Sequence, residues 1–227
     1  PMRRRTVSLV VRGSVYTSCW SPCGLRVAYG VRNAVHLIDL LHLGSTIPTF
    51  TSSSSSSSSS RHRSATVVHQ LGRSDTLALH FASEQPSLLF SGQRTGCVFL
   101  SDLRVPSRSA SASSPAWFYR LPGPVCCLRQ ARDSGTNSHA LFASSLLGHI
   151  HQIDLRMPRR LLNSIQLQRT VPTAFEFDLS SDGEVLVAGD CEGSVHAWST
   201  RDAKLLSVVR VRAGIDIGTV CAQDVWT

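Results

Sequence analysis

Asn33-Ala34-Val35-His36-Leu37-Ile38-Asp39 returns three more times along this chain. The other copies are Gly96-Cys97-Val98-Phe99-Leu100-Ser101-Asp102, Gly148-His149-Ile150-His151-Gln152-Ile153-Asp154 and Gly193-Ser194-Val195-His196-Ala197-Trp198-Ser199. Each opens on Asn or Gly, places a β-branched residue two positions on, and closes on Asp or Ser. Gly accepts positive φ freely and Asn tolerates it, so Asn33, Gly96, Gly148 and Gly193 are predicted to sit in tight two-residue hairpin turns. Self-similarity at a period of about 40–60 residues means stacked structural units.

The same order of short strands surrounds each copy. First strands are predicted over Ser14–Trp20, Thr76–Ala82, Pro124–Gln130 and Pro172–Leu179, and second strands over Leu25–Tyr29, Leu88–Ser91, Ala140–Ser144 and Val185–Ala188. The repeated phrase is the third strand, and fourth strands are predicted over Ala65–Gln70, Ala116–Leu121, Leu161–Leu167 and Lys204–Val211. Four strands per unit select an all-β propeller, with blades at about 14–72, 74–122, 124–168 and 172–211. Residues 215–227 read as the start of another blade and Thr6–Val11 as the outer strand of a preceding one. The ring would then be partial, with unprotected edges at its terminal blades.

The third strand is apolar on both faces, with Val98 and Leu100 on one side and Phe99 and Leu103 on the other, as suits a strand packed between two blades. His36, His151 and His196 share one register and read as packed residues rather than ligands. Residues 44–64, with nine consecutive serines at Ser52–Ser60, cannot bury enough apolar surface to fold and read as a disordered insertion in the first blade. Ser107–Ser114 is a smaller insertion of the same kind, and both follow a third strand.

The 227 residues are 42% hydrophobic and 17% charged, with a net charge of +8. Lys204 is the sole lysine, so arginine supplies nearly all the positive charge. Arg3-Arg4-Arg5 and Arg159-Arg160 are the only tight basic runs and no aromatic pattern accompanies them, so nucleic acid is not the expected partner. No apolar run approaches the roughly 18–20 residues of a membrane span, and with no apolar h-region in the first residues given, a secretory signal is not expected. Seven cysteines (19, 23, 97, 126, 127, 191, 221) form no CxxC pair and no metal-ligand spacing. Free thiols in a reducing compartment, nucleus or cytoplasm, are expected, with no metal, no cofactor and no membrane partner. Pro1 ahead of Met2 reads as the start of a fragment.

No phosphate loop, nucleophile elbow, HExxH or GxGxxG motif occurs, so no catalytic residue is expected. The endings of the phrase are more informative. Asp102-Leu103-Arg104 and Asp154-Leu155-Arg156 stand at the same register in consecutive units, whereas the first copy runs Asp39-Leu40-Leu41 and the fourth Ser199-Thr200-Arg201. Residues i and i+2 share a face of a strand, so each Asp can brace its own Arg or a neighbouring amide. The Arg would project from the rim, where its planar fork suits a carboxylate or backbone carbonyls. A purely local role, satisfying carbonyls between blades, is the competing reading.

These residues resemble a WD40 repeat protein with degenerate repeats. Trp198 stands where that family has its Trp-Asp, while Ile38, Ser101 and Ile153 replace the Trp. Asp-x-Arg endings on adjacent blades are similar to the docking box of cullin-4 substrate receptors. Ser74-Asp75-Thr76-Leu77-Ala78 into Phe81, and Leu88-Leu89-Phe90-Ser91-Gly92 through Arg104, look like the cullin-4-associated factor 4 group. So do Ala188-Gly189-Asp190-Cys191 through Ser199, Asp202-Ala203-Lys204-Leu205-Leu206, and Cys19-Trp20-Ser21 ahead of the first hairpin. The resemblance implies a non-catalytic substrate receptor that binds the adaptor, damage-specific DNA-binding protein 1, and brings an unnamed substrate protein to the ubiquitin ligase. It implies adaptor-binding roles for Asp102, Arg104, Asp154 and Arg156. A generic WD40 scaffold in another complex is the alternative, followed by a basic propeller that binds nucleic acid.

Overall fold

β-Branched and aromatic runs separated by Gly, Asn and Ser favour short strands over helices, because branched side chains pack well on a pleated surface. The computed structural model describes residues 14–40, 66–70, 74–105, 116–131, 139–157, 160–167 and 175–211. Among them are sixteen strands and no α-helix, hence none long and apolar enough to cross a membrane.

The strands form four antiparallel sheets, each of four strands in chain order. The first sheet is β1 (Thr17–Trp20), β2 (Arg26–Val31), β3 (Ala34–Asp39) and β4 (Thr66–Gln70). The second is β5 (Thr76–Phe81), β6 (Leu88–Gln93), β7 (Cys97–Asp102) and β8 (Ala116–Arg120). The third is β9 (Val125–Gln130), β10 (Ala140–Ser145), β11 (His149–Asp154) and β12 (Leu161–Gln166). The fourth is β13 (Phe177–Leu179), β14 (Val185–Gly189), β15 (Ser194–Ser199) and β16 (Leu205–Arg210). The leading strands adjoin one another in succession, β1 against β5, β5 against β9 and β9 against β13. The architecture is β-propeller-like. Thr6–Val11, Gly44–Ser64, Ser107–Ser114 and 215–227, to which the sequence assigned an outer strand, two serine insertions and a further blade, lie outside the described residues.

The hairpins correct one expectation. Only Asn33, at φ 62°, closes a two-residue loop, between Val31 and Ala34. Gly96 and Gly148, both at φ 85°, each end a three-residue loop, and their amides donate to Gln93 and Ser145 carbonyls. Gly193, at φ 82°, ends a loop of four residues from Asp190. A turn followed by one left-handed residue demands the same chemistry as the shorter loop, so the glycine alone does not reveal loop length. β2 runs on to Val31 and β6 to Gln93, each two residues beyond the sequence estimate.

Three apolar cores lie between successive sheets. Ala28, Val35, Leu79, Phe81 and Leu89 form the first, with Leu37, Phe99 and Leu103 packed against it. Phe90, Val98, Leu128, Leu141 and Ile153 centre the second, with Leu88, Leu100 and Leu155 at its margin. Phe142, Ile150, Phe175, Phe177, Leu186 and Trp198 centre the third. Phe99 and Val98 therefore serve different cores, and the third strand packs against a core on each face. In contrast every residue of β16 is exposed.

A small residue recurs near the end of the second strand: Gly30, Gly92, Ser144 and Gly189 each pair with the β-branched residue of the phrase, Val35, Val98, Ile150 and Val195. Thr76 of the next sheet covers Gly30, Val125 covers Gly92, and Ser144 Oγ donates to the Phe175 carbonyl at 3.5 Å. Close approach of the next sheet explains the small side chain at Gly30, Gly92 and Ser144.

Candidate functional site

All four phrases end at one register. Asp39 pairs with Arg26, Asp102 with Leu88, Asp154 with Ala140 and Ser199 with Val185, each the first residue of its second strand. The next residue then donates its amide back across the sheet, Leu40 to Leu25, Leu103 to Ser87, Leu155 to His139 and Thr200 to Glu184. The side chains diverge from this common frame.

In the second and third sheets the turn is a fork. Asp102 Oδ1 accepts the Arg104 amide at 3.0 Å and Nε at 2.9 Å, while Nη2 reaches Oδ2 at 2.6 Å. Asp154 Oδ1 accepts the Arg156 amide at 2.9 Å and Nε at 3.2 Å, and Nη2 reaches Oδ2 at 3.4 Å. The intervening leucines turn inward, Leu103 to the first core and Leu155 to the second. The guanidiniums turn outward, with Arg104 70% and Arg156 67% exposed. Among the described residues their bonds go to the aspartate two places earlier, not to carbonyls of a neighbouring sheet. The Arg104 hydrogen bonds hold the Asp102 carboxyl down at about 2, and Arg156 lowers that of Asp154 in the same way.

The other two endings are built differently. Asp39 faces Arg26 across the strand pair at 3.5 Å. Thr200 Oγ1 donates to the Gly183 carbonyl at 2.7 Å, and Asp202 accepts from the Ser199 hydroxyl. Neither presents a fork at the rim.

The three histidines of the phrase are packed side chains. His36 stacks on Tyr29 with centroids 5.2 Å apart, and His196 stacks on Trp198 at 5.4 Å. His151 Nδ1 lies 3.2 Å from the Tyr119 hydroxyl of the preceding sheet. Burial lowers the pKa of His36 and His151, and His149 adds to the effect at His151. Sequence reasoning missed the partner of His196: Asp190 Oδ2 lies 2.7 Å from Nε2, while Oδ1 accepts the amides of Glu192 and Ser194. A turn Asp six residues ahead of a His was the available signal. Also unforeseen is Arg129, which faces Glu176 at 3.8 Å and Asp178 at 3.7 Å across the third core.

Among the described residues no three His, Cys, Asp or Glu side chains gather as a metal site. Cys19, Cys23, Cys97, Cys126, Cys127 and Cys191 are free thiols. No protein-family model matches the chain, and no curated protein matches it.

Proposed function

We propose that this chain is a non-catalytic WD40-type substrate receptor that docks on damage-specific DNA-binding protein 1 and thereby presents a substrate protein to the cullin-4 ubiquitin ligase. The paired forks support the reading. Two adjacent sheets offer the same preorganised guanidinium at the same register, and among the described residues the first and fourth sheets offer none. A fork fixed by its own carboxylate gives up little rotamer freedom on binding, and its remaining N–H groups suit a planar acceptor. Asp102 and Asp154 act as positioning residues, and Arg104 and Arg156 as the contacts.

Arg104→Glu with Arg156→Glu tests it, since both side chains are exposed and the exchange leaves the cores untouched. The folded double variant should no longer co-purify with the adaptor. Undiminished binding would overturn the assignment, and would favour a generic scaffold. Rim charges act strongly on association, so binding by the parent should weaken as salt rises.

A further inference from the structure

Each fork is followed by an apolar residue that the fold leaves in solvent. Val105 is 45% exposed and Met157 53% exposed, immediately after Arg104 and Arg156. The sequence repeats around them: Asp102-Leu103-Arg104-Val105-Pro106 and Asp154-Leu155-Arg156-Met157-Pro158. The first copy continues as Leu40-Leu41-His42 and the fourth as Thr200-Arg201-Asp202, so in the sequence an apolar residue at this position accompanies the Asp-Leu-Arg ending and a polar one stands there without it.

The fold does not need these two side chains. Each turn is set by the Asp carboxylate accepting the Arg amide and by the inward leucine. Val105 adds only its amide, donated to the Asp102 carbonyl at 3.2 Å. Met157 contributes its carbonyl to the Arg160 amide at 3.0 Å and its sulfur to Arg160 Nη1 at 3.6 Å. A single exposed apolar side chain means little, but two at equivalent places, each beside a solvent-facing guanidinium, form a duplicated surface. Among the described residues of these turns three arginines (104, 156, 160) stand against two aspartates (102, 154), so the surface carries net positive charge around its two apolar points.

Resting on the docking reading above, we infer that Val105 and Met157 are the apolar anchors of that interface, and that the adaptor surface they meet carries apolar side chains flanked by carboxylates. An apolar contact excludes water beside each guanidinium, and a charge-assisted hydrogen bond is stronger where water is excluded. Neither element alone would give both attraction and residence.

Val105→Ser with Met157→Ser, in the full chain, removes the anchors and keeps both forks. Binding of purified damage-specific DNA-binding protein 1 by calorimetry is expected to weaken about tenfold or more, in line with losing apolar anchors at an interface centre. Val105→Ile with Met157→Leu should retain parental affinity, and the melting temperature of both variants should match the parent. Parental affinity in the serine pair, with binding lost in the Arg104→Glu/Arg156→Glu pair, overturns the anchor inference and leaves the docking reading standing. Parental affinity in both pairs, or no binding by the parent, removes the docking reading itself and the anchors with it.

Discussion

Val125 lies on the bare face of Gly92: a Cβ built on that glycine would stand 2.5 Å from Val125 Cγ1 and 2.8 Å from its Cβ. Thr76 meets Gly30 in the same way, 2.9 Å from such a Cβ. At these points the leading strand of one sheet presses into the back of the sheet before it. Gly92→Ala therefore overpacks the second core and should cost about 1–3 kcal/mol. Urea unfolding checks it. Adding Val125→Ala should recover part of the loss in a double-mutant cycle, because the two positions share one contact.

Asp190 binds three groups at once, the Glu192 and Ser194 amides and the His196 ring. Burial alone would raise its pKa, but the His196 bond and the two amides outweigh it, and the net direction is downward. A carboxyl depressed on folding contributes stability above its unfolded value, near 3.9, and that contribution is lost as pH falls through the lower folded value. Asp190→Ala leaves amides and an imidazole unpaired and should destabilise by about 1–3 kcal/mol at neutral pH. Asp190→Asn, which still accepts the amides, should lose less; equal losses would assign the whole effect to the His196 bond.

His36 and His151 share that sign for a different reason. Burial depresses both, so the unfolded chain binds protons first as pH drops below about 6.5. Their contribution is intact at neutral pH and is lost progressively as pH falls through that value toward the folded ones. Stability measured by denaturant titration should fall between pH 7 and pH 5. The His36→Phe/His151→Phe pair should flatten that slope, and imidazole resonances of both residues should titrate below the free value.

The thiols should separate by reactivity. Cys23 is exposed, and its pKa is lowered chiefly by the hydrogen bond with the Ser21 hydroxyl, 3.3 Å away. Burial pushes Cys19 up to about 12 and Cys127 up to about 11. The thiolate is the nucleophile, so a maleimide should modify Cys23 well before Cys19 or Cys127. Peptide mass analysis over a time course reads the order.

Most strand positions were legible because two local signals coincide: apolar alternation and a left-handed residue at the hairpin. Thr76–Phe81, Leu88–Gln93 and Ala140–Ser145 lie within two residues of their sequence estimates for that reason. Ser14–Trp20 was too long, since regular pairing starts only at Thr17, opposite Gly30. For Pro172–Leu179, the described strand is Phe177–Leu179, and 172–174 lie outside the described residues. The Asp-Leu-Arg register was readable from spacing alone. Its geometry was half readable: the fork follows from i and i+2 sharing a side, but the inward turn of Leu103 and Leu155 depends on the neighbouring sheet. Gly92 could not be explained from its own strand, because Val125, which determines it, belongs to the next sheet. Asp190 likewise had no role legible in the sequence, because only the folded hairpin brings His196 to it.

The cores between sheets impose an order in time. Phe142 and Ile150 of the third sheet are covered by Phe175, Phe177, Leu186 and Trp198, so that sheet remains half-dressed until the chain has been made almost to residue 200. Synthesis proceeds at about 5–20 residues per second, so each sheet waits seconds for its successor with an apolar face open. A nascent chain of this kind is most exposed to mispairing between sheets rather than within them, and a stall after Leu167 would strand the third sheet uncovered.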